Sequence, residues 1–171
     1  VLMNKIYVVR HGETDWNKNG ICQGKTNISL NENGVAQAKV LKDKINVNLI
    51  DICYVSPLNR TIETAKIITN NKLDLIIDDR IVERGFGTLE GKPFNYDATA
   101  KSWDYELNYD EYDIEAIKEV LKRAKDFLDY LNKTYDNKNI LIISHGAFIK
   151  ALYFNIVGYN SKTDFLSFFS K

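Results

Sequence analysis

Two stretches of this 171-residue chain could do chemistry, and they share one layout. In the first, the β-branched and aromatic run Ile6, Tyr7, Val8, Val9 stops at Arg10, His11 and Gly12. In the second, the apolar run from Ile140 to Ile143 stops at Ser144, His145 and Gly146. The chain has only two histidines, and both follow a strand and a polar residue and precede a glycine. One histidine beside a strand end is most often a hydrogen-bonded structural residue. Two at the carboxyl ends of parallel strands point into one crevice, where open α/β sheets bind ligands. The glycine after each lets backbone turn close to a ligand.

Two more charged residues stand just past apolar runs. Arg60 follows the run 50–55, at the start of a helix where a cation opposes the dipole, so a purely structural role is disfavoured. Glu83 lies in a loop with two glycines, residues 80–87. The set Arg10, His11, Arg60, Glu83 and His145 suits phosphoryl transfer without a metal. Arginine forks neutralise phosphoryl oxygens bidentately and do not deprotonate. A neutral imidazole is a competent nucleophile, so His11 could attack phosphorus and hold it as a phosphohistidine. Glu83 could protonate the leaving oxygen where the charge of a bound phosphate favours its protonated form. His145 would bind the phosphoryl oxygens.

The elements that must position these residues alternate between strand and helix. After the first strand, expected to be buried inside the sheet, residues 12–30 read as an irregular binding loop. Asn31 can cap a helix carrying Val35, Ala38, Leu41 and Ile45 to about Lys44, with Gly34 weakening its first turn. A strand at 50–55, a helix begun by Pro57 and running through Thr69, and a short strand at Leu75–Ile77 follow. Residues 92–113 have no clean period and read as a small cap over the crevice. A helical stripe runs from Ile114 through Ile117, Leu121, Ala124, Leu128 and Leu131, then a strand at 139–144 and a helix through Val157. This alternation predicts a three-layer α/β/α fold with a mainly parallel sheet, in one domain spanning 1–171.

Composition narrows the class. Twenty-three basic residues balance 23 acidic ones. No global field therefore draws the chain to nucleic acid or to an anionic membrane. Cys22 and Cys53 have no metal-ligand spacing, and no apolar run approaches a membrane span, so the expectation is a reduced, cytoplasmic protein. Val1 and Leu2 precede Met3, which is read as the natural start.

The segments RHGETDWN at 10–17, CQG at 22–24, SPLNRTIETA at 56–65, ERGFGTLEG at 83–91 and SHGAFIKAL at 144–152 resemble the successive motifs of the histidine phosphatase superfamily, the phosphoglycerate mutase-like family. The resemblance covers nearly the whole chain. It implies a phosphoglycerate mutase-like fold, a phosphohistidine intermediate, no metal and no cofactor. By position, His11 resembles the nucleophile, Arg10, Arg60 and His145 the phosphate pocket, and Glu83 the proton donor. Asn17, Gln23 and Gly24 resemble substrate-contacting residues. Ile21, Asn27 and Ser29 depart from the usual arginine, aspartate and proline, and Glu115 and Arg123 loosely match a Gly-Glu-Ser then arginine pattern whose glycine and serine are Ile114 and Ala116 here. Family members commonly add a last strand, whereas this chain stops at Lys171 soon after Phe165, Phe168 and Phe169. Either the sheet lacks that edge strand or the sequence ends before it.

Within the family the expected activity is a metal-independent phosphomonoesterase acting on a small phosphorylated metabolite, as a monomer or homodimer. The alternatives are a phosphoglycerate mutase, in which the insertion after the Glu-Gly pair is longer and basic, and a noncatalytic binding module, in which His11 or Glu83 would be lost. Arg84 and Glu90 are expected at the surface or behind the site, and the aromatic residues of 92–113 mostly in a small core. Six carboxylates in that segment (Asp97, Asp104, Glu106, Asp110, Glu111, Asp113) oppose Lys92 and Lys101. If they face the crevice, like charge disfavours a second phosphate there, and an uncharged, aromatic or cationic far end is expected.

Overall fold

The computed structural model of the chain describes residues 3–167. Phe168 and Phe169 lie outside the described residues. Four strands, β1 (Lys5–Arg10), β2 (Ile52–Val55), β3 (Leu75–Ile77) and β4 (Asn139–Ser144), form one parallel sheet in the order β1-β4-β2-β3. The helices are α1 (Asp15–Lys18), α2 (Glu32–Lys44), α3 (Asn59–Thr69), α4 (Tyr96–Ser102), α5 (Ile117–Thr134) and α6 (Gly146–Val157). Successive side chains of β4 face opposite layers. Ile140 and Ile142 pack with α5 and α6 through Leu121, Ala124, Phe127, Phe148 and Leu152. Leu141 and Ile143 pack with Ala65 and Ile68 of α3, and Leu41 of α2 joins them. A strand covered on both faces needs an unbroken apolar run, which Ile140 to Ile143 is.

Three expectations need correcting. β1 is an edge strand, not an interior one, and Tyr7 and Val8 are 44% and 38% exposed. A β-branched run fits an edge as well as a centre, because it is the partner strands that decide burial. The loop 12–30 contains α1, whose N-cap Thr14 accepts from Asn17 N while the Asn17 side chain accepts from Thr14 N. That reciprocal cap uses Asn where glutamate or glutamine is usual, which hides it from a motif search. Pro57 precedes the cap of α3, Leu58, instead of opening the helix.

Asn31 caps α2, its side chain accepting from Gly34 N at 2.8 Å. Gly34 also makes a close contact. A Cβ on it would collide with Glu13 O, and one on Gly12 would collide with Gly34 O. The turn after His11 therefore lies directly on the first turn of α2. We expect Gly34→Ala to destabilise the fold by roughly 1–3 kcal/mol, as overpacking does. The same change should lower turnover by displacing His11; a melting temperature and kcat both like those of the native protein would show that the contact does not matter.

Candidate active site

The register of the sheet assembles the site. Arg10 pairs with Ser144 across β1 and β4, so the next residues, His11 and His145, leave their strands side by side with ring centroids 5.2 Å apart. His11 N donates to Ser144 O and Ser56 N to Ile143 O, which continues the ladder one step past the strands. Beyond these ends lies a cavity of about 650 Å³ lined by Arg10, His11, Asn17, Gln23, Gly24, Arg60 and Glu83, all expected from the sequence. A smaller cleft of about 330 Å³, bordered by Asp51, Lys72 and Asp74, contains no histidine or arginine.

His11 is buried, and its Nδ1 donates to Gly12 O at 2.6 Å. A carbonyl only accepts, so the proton sits on Nδ1 and Nε2 keeps its lone pair. Burial lowers the His11 pKa to about 3, with Gly12 O opposing and Arg60 and Arg10 assisting. His145 is fully buried beneath the cavity and does not line it. Ser56 Oγ lies 2.7 Å from its Nε2, and its Nδ1 has no partner. Burial first, then Arg60, His11 and Arg10, holds it well below the ordinary histidine value. Both imidazoles are neutral around pH 7.

The arginines divide their work differently from the expectation of two free forks. Arg60 is almost fully buried. Its two terminal nitrogens donate to Thr26 O and Gly24 O, each at 2.6 Å, and only Nε lacks a partner. It ties the loop that carries Gln23 and Gly24 to α3. Burial lowers its pKa to about 10, partly offset by Glu83 and Glu90, so it stays charged. The side chain of Arg10, an exposed residue, makes no hydrogen bond or ion pair among the described residues and is the free fork at the cavity wall.

Glu83 lies over the N-terminus of α6. Its Oε1 accepts from Phe148 N at 3.0 Å and Arg84 N at 2.8 Å, and Oε2 from Ala147 N at 3.2 Å. The dipole and free N–H groups of a helix start suit an anion. Behind Glu83, Arg123 pairs with Glu115 at 2.9 Å and donates to Val82 O, while Glu115 accepts from Gly85 N. These two residues brace the Glu83 loop. Arg84 is fully buried and off the cavity wall, the second of its two expected places, donating to Glu115 O and Ser102 O. Glu90 sits behind the site, bridging Thr26 and Phe86 N.

Gln23 accepts from Thr14 and Asn17 caps α1, so the substrate-contact candidates are fixed by the cap of a short helix. Gly24 takes φ +50°, and a Cβ there would strike the Glu90 carboxylate. The sequence reading missed Trp16, Phe86, Ile149 and Lys150 as lining residues, although Lys150 is the only charged residue of α6. From 92–113, only Phe94, Thr99 and Trp103 line the cavity. All six carboxylates of that segment are exposed and none lines it, so the like-charge argument against an anionic far end falls. Tyr96 and Tyr112 are exposed too, not in a small core. Cys22 lines the cavity, but burial pushes its thiol up to about 11, away from nucleophilic use. No cluster of three or more His, Cys, Asp or Glu suited to a metal occurs among the described residues. No helix among them is long and apolar enough to cross a membrane.

The family model for the histidine phosphatase superfamily (branch 1) matches residues 6–165, which hold every element of this site. The chain belongs to that superfamily. An uncharacterised phosphatase of Bacillus subtilis is 38% identical to this histidine phosphatase over 157 residues, 91% of this chain and 79% of the relative. Phosphoserine phosphatase 1 of Hydrogenobacter thermophilus is 33% identical over 163 residues, 91% of this chain and 77% of the relative. The crystal structure of a histidine-to-alanine variant of phosphoserine phosphatase from Entamoeba histolytica, in complex with phosphoserine, superposes with a TM-score of 0.80 at 34% identity, covering 91% of this chain and 80% of that one. The chain is a phosphoric monoester hydrolase of the phosphoglycerate mutase-like fold.

With only two histidines, the Cε1–H signals of the histidine phosphatase should be two, and neither should titrate near 6.5. The sign for stability follows. Between about 3 and 6.5 the unfolded chain binds a proton that folded His11 does not, so stability is complete above 6.5 and declines as the pH falls below it. A histidine midpoint near 6.5 in the NMR titration, or a melting temperature flat from pH 7 to 5, would contradict this geometry.

Proposed function

We propose that the protein hydrolyses phosphomonoesters in two steps through a phosphohistidine on His11, with arginine supplying the positive charge that a metal gives elsewhere. The observation that carries this reading is the tautomer of His11, whose Nδ1 is held by Gly12 O while Nε2, on a cavity-lining residue, has no partner among the described residues. In the first step Nε2 attacks phosphorus and the bond from phosphorus to the ester oxygen breaks. Glu83 gives its proton to the departing oxygen, and Oε2, with its one long contact, is the atom that carries it. The phosphorylated ring keeps its Nδ1 proton on Gly12 O, which stabilises the cationic imidazole. In the second step water attacks phosphorus, the bond to Nε2 breaks, and Glu83 takes back a proton as inorganic phosphate leaves.

Three donors would serve the phosphoryl oxygens: the Arg10 fork and Nε of Arg60, both on cavity-lining residues, and Nδ1 of His145, whose ring centroid lies 5.2 Å from that of His11, the ring that carries the phosphoryl group. The last two are buried and unpartnered in the free protein, as preorganised stabilisation of transferring charge requires. For His145 to donate from Nδ1, Ser56 must donate to its Nε2. Asn17, Gln23 and Gly24 then border the ester beyond the phosphate.

A labelled phosphate donor should leave acid-labile label on the native protein and none on His11→Ala, and activity should survive exhaustive chelation. Label that persists in His11→Ala but vanishes in His145→Ala would reverse the assignment. For Glu83→Gln, poor leaving groups should lose about 10²- to 10⁴-fold and p-nitrophenyl phosphate far less. Equal losses would place the acid elsewhere.

A further inference from the structure

The phosphate end of the cavity accounts for Arg10 and Arg60 but leaves a third cation unexplained. Lys150 also lines the cavity, one helical turn beyond Gly146, or about 6 Å along α6. It is 8% exposed, yet no carboxylate lies within ion-pair distance among the described residues. An ammonium has three donors. Here one of them makes a long bond to Leu166 O, 3.4 Å, and the group otherwise rests 4.4 Å from the centroid of the Trp103 ring. The same ring carries a second cation, Arg84, 4.7 Å from its centroid. Arg84 is engaged with backbone carbonyls, so Lys150 alone has donors to offer.

A buried cation with no carboxylate to neutralise it is costly. We propose that Lys150 binds a carboxylate of the substrate beside Trp103, so that the protein prefers phosphate esters that also carry a carboxylate. This deepens the phosphatase reading and rests on it. A single ammonium matches a carboxylate in charge, whereas a second phosphate calls for a fork or several cations. Burial pushes the Lys150 ammonium down to about 8, with Asp164 and Glu83 opposing and Arg84 assisting. Of these, Asp164 is exposed and already accepts from Leu166 N and Ser167 N, and Glu83 accepts three backbone N–H groups. Neither neutralises Lys150 directly.

Phosphoserine and phosphoethanolamine differ only in the carboxylate and form the test pair. The native protein should favour phosphoserine by about 10- to 100-fold in kcat/KM, the size of one charged hydrogen bond, expressed mainly in KM. Lys150→Met, which keeps the apolar stem on Trp103, should bring the ratio of the two kcat/KM values to within about threefold of one. Lys150→Arg should restore most of the preference. No preference in the native protein, or a preference that survives Lys150→Met, overturns the proposal. If the native protein hydrolyses neither ester, the phosphatase reading fails on these substrates. Calorimetric titration of both esters into His11→Ala still decides the anion site: tighter binding of phosphoserine that disappears when Lys150→Met is added supports it, and equal affinity for the two overturns it.

Discussion

The parallel pairing of β1 with β4 is the constraint on which the site depends. Because Arg10 and Ser144 are partners in register, His11 and His145 emerge together at the carboxyl ends of β1 and β4. A slip of one residue would turn every side chain of β1 to the opposite face and separate the rings. The apolar side chains of β4, buried on both faces, fix that register from the centre of the sheet. The contact of Gly12 with Gly34, and the bond from Gly12 N to Thr64 Oγ1, then hold the turn after His11 against α2 and α3.

Electrostatics follows from that placement. Both imidazoles are buried, and Arg60 and Arg10 act on each, so both rings stay neutral and one can be a nucleophile. The cavity wall carries three cations, Arg10, Arg60 and Lys150, against the single carboxylate of Glu83. A chain without net charge thus concentrates positive potential in one crevice, which draws an anionic substrate.

Much of this was legible in the sequence, for identifiable reasons. Two histidines in one repeated context, and apolar runs alternating with amphipathic stretches, carry fold and site together. What could not be read was set by tertiary neighbours. The edge position of β1 depends on strand order, and nothing in Ile6 to Val9 encodes it. The solvent orientation of the carboxylates in 92–113 is invisible because that segment has no period from which to infer a face. The role of Gly34 appears only when Glu13 is placed against it, and the engaged fork of Arg60 only when the carbonyls of Gly24 and Thr26 are. Lys150 did have a signal, a lone charge on an otherwise uncharged helix, but its place beside Trp103 requires the fold of both segments.

The claim at the centre of this account is that phosphorus is transferred twice, first to His11 and then to water. The stereochemistry of hydrolysis tests it most directly, using a phosphate ester made chiral at phosphorus with oxygen isotopes and sulfur and analysing the product by NMR. Two in-line displacements invert the centre twice, so the product should show net retention of configuration. Net inversion would mean that water attacks the substrate directly, with no phosphohistidine on the path, and would contradict the account.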